Sequence, residues 1–308
     1  MIWRQKIIDK YEIISDFAYL CGECPIWDSK KNELFWSDML GGFILKYNPE
    51  KDSIKKIAEG KNVSGMAPGK TGGLICACHQ GIYSWDEENG FQIIADTHNG
   101  DFLRSNDAIA DKAGRFIFGS TFYGPGLTTY PLGKLYKLER DGSISILEEG
   151  VHLSNGLGFS PNNKKLYHTD TVLRTIYVYD YNLKTGSISN RHIFIRVPDN
   201  EGIPDGLTVD AEGFVWSAQW YGSCIVRYDP EGKVDRIVRT PAKQTSSLIF
   251  GGKDLTDIYV TTAAKSVRLH VAPVGYDFKA PDIGGPVYRY NFGIKGKPEY
   301  FTDINFKK

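Results

Sequence analysis

The 308-residue chain has no apolar run long enough to span a bilayer. Its start, MIWRQKIIDK, scatters charges where a secretory leader would carry an apolar core. The expected location is therefore the cytoplasm, with no membrane partner. There is no excess of either charge: Lys plus Arg and Asp plus Glu stand at 37 each, with no basic stripe. A concentrated positive surface that displaces counterions from nucleic acid is thus missing, and no nucleic-acid partner is expected. Cysteine is scarce, at five residues. Cys21-x-x-Cys24 and Cys76-x-Cys78 have zinc-like spacing, yet neither a second C-x-x-C nor a His-x-x-x-His accompanies them. Reduced, partly buried thiols are the expectation. G-x-S-x-G is absent, which removes the usual nucleophile elbow. No long helical period competes for the chain, which argues against an α/β fold. No Pro/Ser/Gly-rich or charge-rich linker divides residues 1–308, so the reading is one domain.

What the chain has in quantity is aromatic residues (13%) and glycine (33 copies), the composition of many short strands joined by tight turns. Six segments repeat one pattern: a polar residue, an alternating apolar run, a turn, and a second strand ending in small or polar residues. They are ECPIWDSKKNELFWSD, SGMAPGKTGGLICAC, NDAIADKAGRFIFGS, NGLGFSPNNKKLYHTD, DGLTVDAEGFVWSAQ and SSLIFGGKDLTDIYVTT. Their starts are 41, 42, 49, 50 and 41 residues apart, a period that suits four strands per propeller blade. Third strands such as GIYSWDEENG and IVRYDPEG end in hairpin turn chemistry. Fourth strands are expected at DRIVR and around Tyr300. The fold predicted is all-β, a six-bladed β-propeller. Residues 1–18 would either close the ring or cap the channel.

The innermost strands of a propeller line its central channel. The six aligned starts are Glu23, Ser64, Asn106, Asn155, Asp205 and Ser246, and every one offers oxygen. Carboxylates and an amide carbonyl brought together without His or Cys suit a hard divalent cation, with an open position for water or substrate. Arg104 lies two residues before Asn106, so strand alternation aims both at the channel mouth, where a guanidinium fork could hold a substrate oxygen.

The motifs GECPIWD, LRSNDAIADKAGRFIFGS, LSNGLGFSPN, TDT, PDGLTVDAEGFVWSAQ and TPAKQTSSLIFGGKDLTDIYVTTA closely resemble the gluconolactonase / senescence-marker-protein (regucalcin) / luciferin-regenerating-enzyme superfamily. The resemblance runs from about Gly22 to GGPVYRYNFGIKGKP. It implies that Glu23, Asn155 and Asp205 bind one divalent ion in the central channel, that Asp205 is also the general base, and that Arg104 and Asn106 contact substrate. Two positions depart from the family pattern. Ala108 replaces a glycine, and the loop Gly119 to Lys134 carries no carboxylate where some members place a substrate-contacting Glu. Tyr123 and the pair Trp220-Tyr221 are candidate pocket residues.

The expected function is metal-dependent hydrolysis of a small sugar (aldono-)lactone, a small-molecule partner, by a monomer or a dimer. The cation stays open among calcium, magnesium, manganese and zinc. The alternatives are a propeller esterase or phosphotriesterase for a more apolar substrate, and a non-enzymatic, regucalcin-like calcium-binding protein.

Overall fold

The computed structural model describes residues 9–120, 132–264, 269, 271–279 and 284–304. Six four-stranded antiparallel sheets stand around a central axis. Blade 1 runs Gly22–Asp28, Glu33–Asp38, Phe43–Asn48 and Ser53–Glu59 from the axis outward. Blades 2 to 5 repeat this order, their inner strands being Val63–Pro68, Ser105–Ala110, Ser154–Phe159 and Ile203–Val209. Blade 6 takes Thr245–Gly251, Asp257–Thr262 and Val287–Asn291 from the C-terminal part of the chain, and its outermost strand, Glu12–Ser15, from the N-terminal part. Of the two roles open to the N-terminal segment, it closes the ring. Ring closure joins sequence-distant segments, with Glu12 opposite Arg289 and Ile13 opposite Tyr288.

The outer strand expected around Tyr300 is not one. After Asn291 the chain crosses beneath the far end of the channel. The Lys295 carbonyl accepts from the amide of Ala211, the Gly296 amide donates to the Leu255 carbonyl, and Thr302 pairs with Pro68 and Lys70. Gly114, at φ +90°, lets this strap pass; a Cβ there would lie 2.5 Å from Asp303.

Apolar alternation along each strand gives every blade two sticky faces, and both are covered by neighbours. Six buried clusters result, one at each blade interface. Ile26 and Phe35 meet Met66 and Tyr83 between blades 1 and 2, for example, and Trp216 and Ile225 meet Phe250 and Tyr288 between blades 5 and 6. Cys24, Cys76 and Cys78 belong to the first of these clusters. Burial holds their thiols protonated, with Cys78 pushed up to about 12. Among the described residues no group of three or more His, Cys, Asp or Glu is arranged to hold a metal, so the zinc-cysteine arrangement is not present there. Among the described residues no helix is long and apolar enough to cross a membrane.

Candidate functional site

Every inner strand has a register shift against its second strand at the same place: between Glu23 and Ile26, Val63 and Gly65, Ser105 and Ala108, Asn155 and Leu157, Pro204 and Leu207, and Thr245 and Ser247. A bulge bends the strand and re-aims the side chains beside it. It also brings neighbouring inner strands close together. A Cβ on Gly156 would lie 2.5 Å from the amide nitrogen of Leu207, and one on Gly206 2.5 Å from the Cβ of Ser247. This packing accounts for the glycine in Asn155-Gly156 and Asp205-Gly206. After Glu23 the same place is taken by Cys24 at φ 39°, an uncommon conformation for a residue with a Cβ. The Cys24 amide donates back to Glu23 Oε2 at 3.2 Å.

Five hydrogen bonds tie the inner strands into a girdle. Each ends on the carbonyl of the residue just before an aligned strand start. Ser37 donates to Val63 (2.8 Å), Ser64 to Ser105 (2.9 Å), Asn106 to Ser154 (2.8 Å), Thr171 to Pro204 (2.8 Å) and Ser246 to Gly22 (2.6 Å). Ser64 and Ser246 are therefore engaged between blades.

Glu23, Asn106, Asn155 and Asp205, with Arg104, line one cavity of about 210 Å³. All five residues singled out in the sequence meet there. The residues two positions before the strand starts also line it: Cys21, Arg104, Leu153 and Ile203. Arg104 is the one charged member of that tier, as alternation requires. Two aspartates set the tier's height. Asp38 accepts from the amides of Leu20 and Cys21, and Asp170 from those of His152 and Leu153.

The upper wall comes from the turns after the second strands (Met39 and Leu40, His79, Thr171), from Trp220 at the end of blade 5's second strand, and from Leu269 in the excursion before the last blade's third strand. Trp220 lines the cavity, while Tyr221 stands behind it, accepting from the Leu269 amide at 3.2 Å and packing on Tyr276. Tyr123 and most of the loop from Gly119 to Lys134 lie outside the described residues. Trp220 was singled out in the sequence; Met39, His79 and Thr171 were not. Their common signal is the position following each second strand.

Among the described residues the acidic groups make no ion pair with Lys or Arg, and their shifts come from burial and from one another. Burial raises Glu23 to about 8, with the charge of Asp107 adding to it. Burial also raises Asp205 well above the carboxylate range, with Glu23 and Asp107 adding to it. Asp107 itself sits at about 7, again through burial. No Lys or Arg among the described residues offsets any of the three. Sequence alignment missed Asp107 because the bulge carries it, as well as Asn106, toward the axis. Beside Arg104, burial lowers His79 to about 4, so this imidazole is neutral, and its buried Nε2 has no hydrogen-bond partner among the described residues.

Hydrogen bonding fixes what the two amides present. Asn106 Nδ2 donates to the Ser154 carbonyl and to Asn155 Oδ1 (2.9 Å), so both of its protons are spent. It offers the cavity an acceptor oxygen. Asn155 Nδ2 donates to Thr171 Oγ1 at 2.8 Å, leaving one lone pair of Oδ1 uncommitted.

A cavity lined by Glu23, Asn106, Asn155 and Asp205, on the axis of a six-bladed propeller, defines a class of small-molecule site. The chain belongs to the SMP-30/Gluconolactonase/LRE-like family, whose model matches residues 21–264. This is the superfamily its motifs resemble. Relatives include a pentonolactonase of Haloferax volcanii, 33% identical over 295 residues (94% of this chain, 97% of the relative). A regucalcin of Sus scrofa is 32% identical over 285 residues (91% and 94%). Among solved structures, a luciferin-regenerating enzyme superposes with a TM-score of 0.85 at 28% identity, covering 96% of this chain and 99% of that one.

Proposed function

We propose that the chain hydrolyses a small sugar lactone to its acid, with one divalent cation held by Glu23, Asn155 and Asp205. The observation that carries this reading is the pair of buried carboxylates Glu23 and Asp205 lining one cavity, with Asp107 near enough to raise both and no ion pair to Lys or Arg among the described residues. Burying such charge is costly unless a cation pairs with it, and an oxygen-only donor set suits a hard divalent ion. The pentonolactonase relative supports the substrate class. So does the cavity's size, below the roughly 300–1,000 Å³ of pockets for drug-sized ligands.

The chemistry such a cation supplies when bound is Lewis-acid polarisation of an ester carbonyl. Asp205 takes the proton of the attacking water and returns it to the departing ring oxygen as the C–O bond breaks. Asp205 must be ionised to do so, and in a buried acidic site that requires a neighbouring positive charge. Arg104 donates to a substrate oxygen, and Asn106 Oδ1 accepts from a substrate hydroxyl, which together orient the ring. Leu40, Leu153, Ile203 and Trp220 give the cavity an apolar side. That wall favours a second reading, an esterase or phosphotriesterase for a more apolar substrate.

The test is to strip the protein with chelator, restore calcium, magnesium, manganese or zinc singly, and follow acid release from pentono- and hexonolactones. Turnover should vanish on stripping and return with at least one ion, and Asp205→Asn should lose about 10²–10⁴-fold. Metal-independent turnover would falsify the reading. Hydrolysis of aryl esters or organophosphates alone would favour the second one, and cation binding without turnover on any ester would leave a regucalcin-like binding protein.

A further inference from the structure

The orientation of the Asn155 amide decides whether the cavity is offered an oxygen or an NH₂ group, and the structure contains a device that sets it. The Pro204 carbonyl can only accept, so the hydroxyl proton of Thr171 is committed to it at 2.8 Å. Thr171 Oγ1 can then only accept from Asn155, which requires the NH₂ end of the amide to face it at 2.8 Å. On the other side, the Ser154 carbonyl forces Asn106 to present NH₂, and that group donates to Asn155 Oδ1. Both neighbours thus demand the same orientation, and every member of the chain is nine-tenths buried or more. Pro204 immediately precedes Asp205, so the same hydroxyl also ties down the backbone that carries the second proposed ligand.

We infer that Thr171 is a positioning residue for the cation site: it holds Asn155 Oδ1, not its NH₂, toward the ion and steadies the backbone before Asp205. The inference rests on the reading that a cation occupies the pit. It differs from blade stapling in general, because Ser64 makes an equivalent girdle bond without touching any proposed ligand.

The experiment is calorimetric titration of chelator-stripped protein with calcium and with manganese, using wild type, Thr171→Val, Thr171→Ser and Ser64→Ala, alongside ion-free melting curves. Thr171→Val should bind about 10–100-fold more weakly, the usual loss when a partner orienting a metal ligand is removed. Thr171→Ser, which restores the hydroxyl, should bind as wild type does. Ser64→Ala should lose thermal stability yet keep wild-type affinity. Equal affinity of Thr171→Val and wild type overturns the role of Thr171 and leaves the cation site standing. Equal weakening in Ser64→Ala overturns it also, since general loosening of the girdle then accounts for the effect. If wild type itself binds no divalent cation, the functional reading fails and this inference fails with it. Should the valine variant not fold, Thr171→Ala removes the same hydroxyl without setting a methyl against the Pro204 carbonyl.

Discussion

Asp107 is a carboxylate in the channel that the proposed reaction does not use, and replacing it with Asn isolates the electrostatic load the fold carries. In the native chain its carboxyl titrates at about 7, against an ordinary value of 3.8, because burial disfavours the ionised form. A folded-state value above the unfolded one means that the native protein holds the proton more tightly. Stability is therefore lost as pH rises through the window from 3.8 to about 7. At about 1.36 kcal/mol per pH unit, the whole loss above that window is about 4 kcal/mol. Asp107 Oδ1 accepts from the Ala108 amide at 2.7 Å, and an Asn oxygen can do the same. The substitution thus deletes the titration and keeps the bond. Stripped Asp107→Asn should be more stable than stripped wild type by about 2–4 kcal/mol at pH 8, and the difference should shrink toward zero near pH 4. Urea unfolding of both proteins at the two pH values measures it. The advantage at pH 8 should narrow when divalent cation is saturating, because a bound positive charge compensates Asp107. A stability difference equal at pH 4 and pH 8 would refute the reasoning.

Two further outcomes follow from the same site. With Glu23 at about 8 and Asp205 raised as well, protons occupy the proposed ligands at neutral pH, so cation binding at pH 7 should release protons and affinity should rise from pH 6 to pH 8. Calorimetry in buffers of different ionisation enthalpy reads both, and a pH-independent affinity would contradict the raised values. Arg104→Ala removes a charged hydrogen bond to substrate and should lower kcat/KM by about 10–100-fold while leaving the calcium affinity of the substrate-free protein close to wild type. Loss of cation affinity instead would place Arg104 in a different role.

The repeat was legible because strand alternation and hairpin turns are local, and the six strand starts were legible because the units align. Four of the six residues they selected meet in one cavity, and Arg104 joined Asn106 through a two-residue offset that Cys21, Leu153 and Ile203 repeat. Elements made by distant contacts were not legible. Glu12–Ser15 closes the ring against Val287–Asn291, and the strap through Tyr300 read as an outer strand because its composition is that of one. Asp107 was hidden for a different reason. Alternation assigns one residue in two to the channel, and the shift between Ser105 and Ala108 breaks that count.

The girdle explains why one position can be serine in two blades and a longer oxygen donor in four. Five of the six carbonyls just before the strand starts take a donor from the preceding blade. A serine at the start itself is short enough to meet that demand, and Ser64 does so between blades 2 and 3 and Ser246 between blades 6 and 1. Where the donor comes from elsewhere, as Ser37 serves Val63 and Thr171 serves Pro204, the strand start of the donating blade is released from that duty. Glu23 and Asn155 occupy those two released starts, and both line the cavity. Asn106 is the intermediate case, giving its NH₂ to the girdle and keeping an oxygen for the cavity. The supply of hydroxyls on second strands and the turns after them thus determines which of these starts can face the axis. Moving the duty back, with Ser at 155 in place of Asn, would close that junction at the expense of a cavity oxygen.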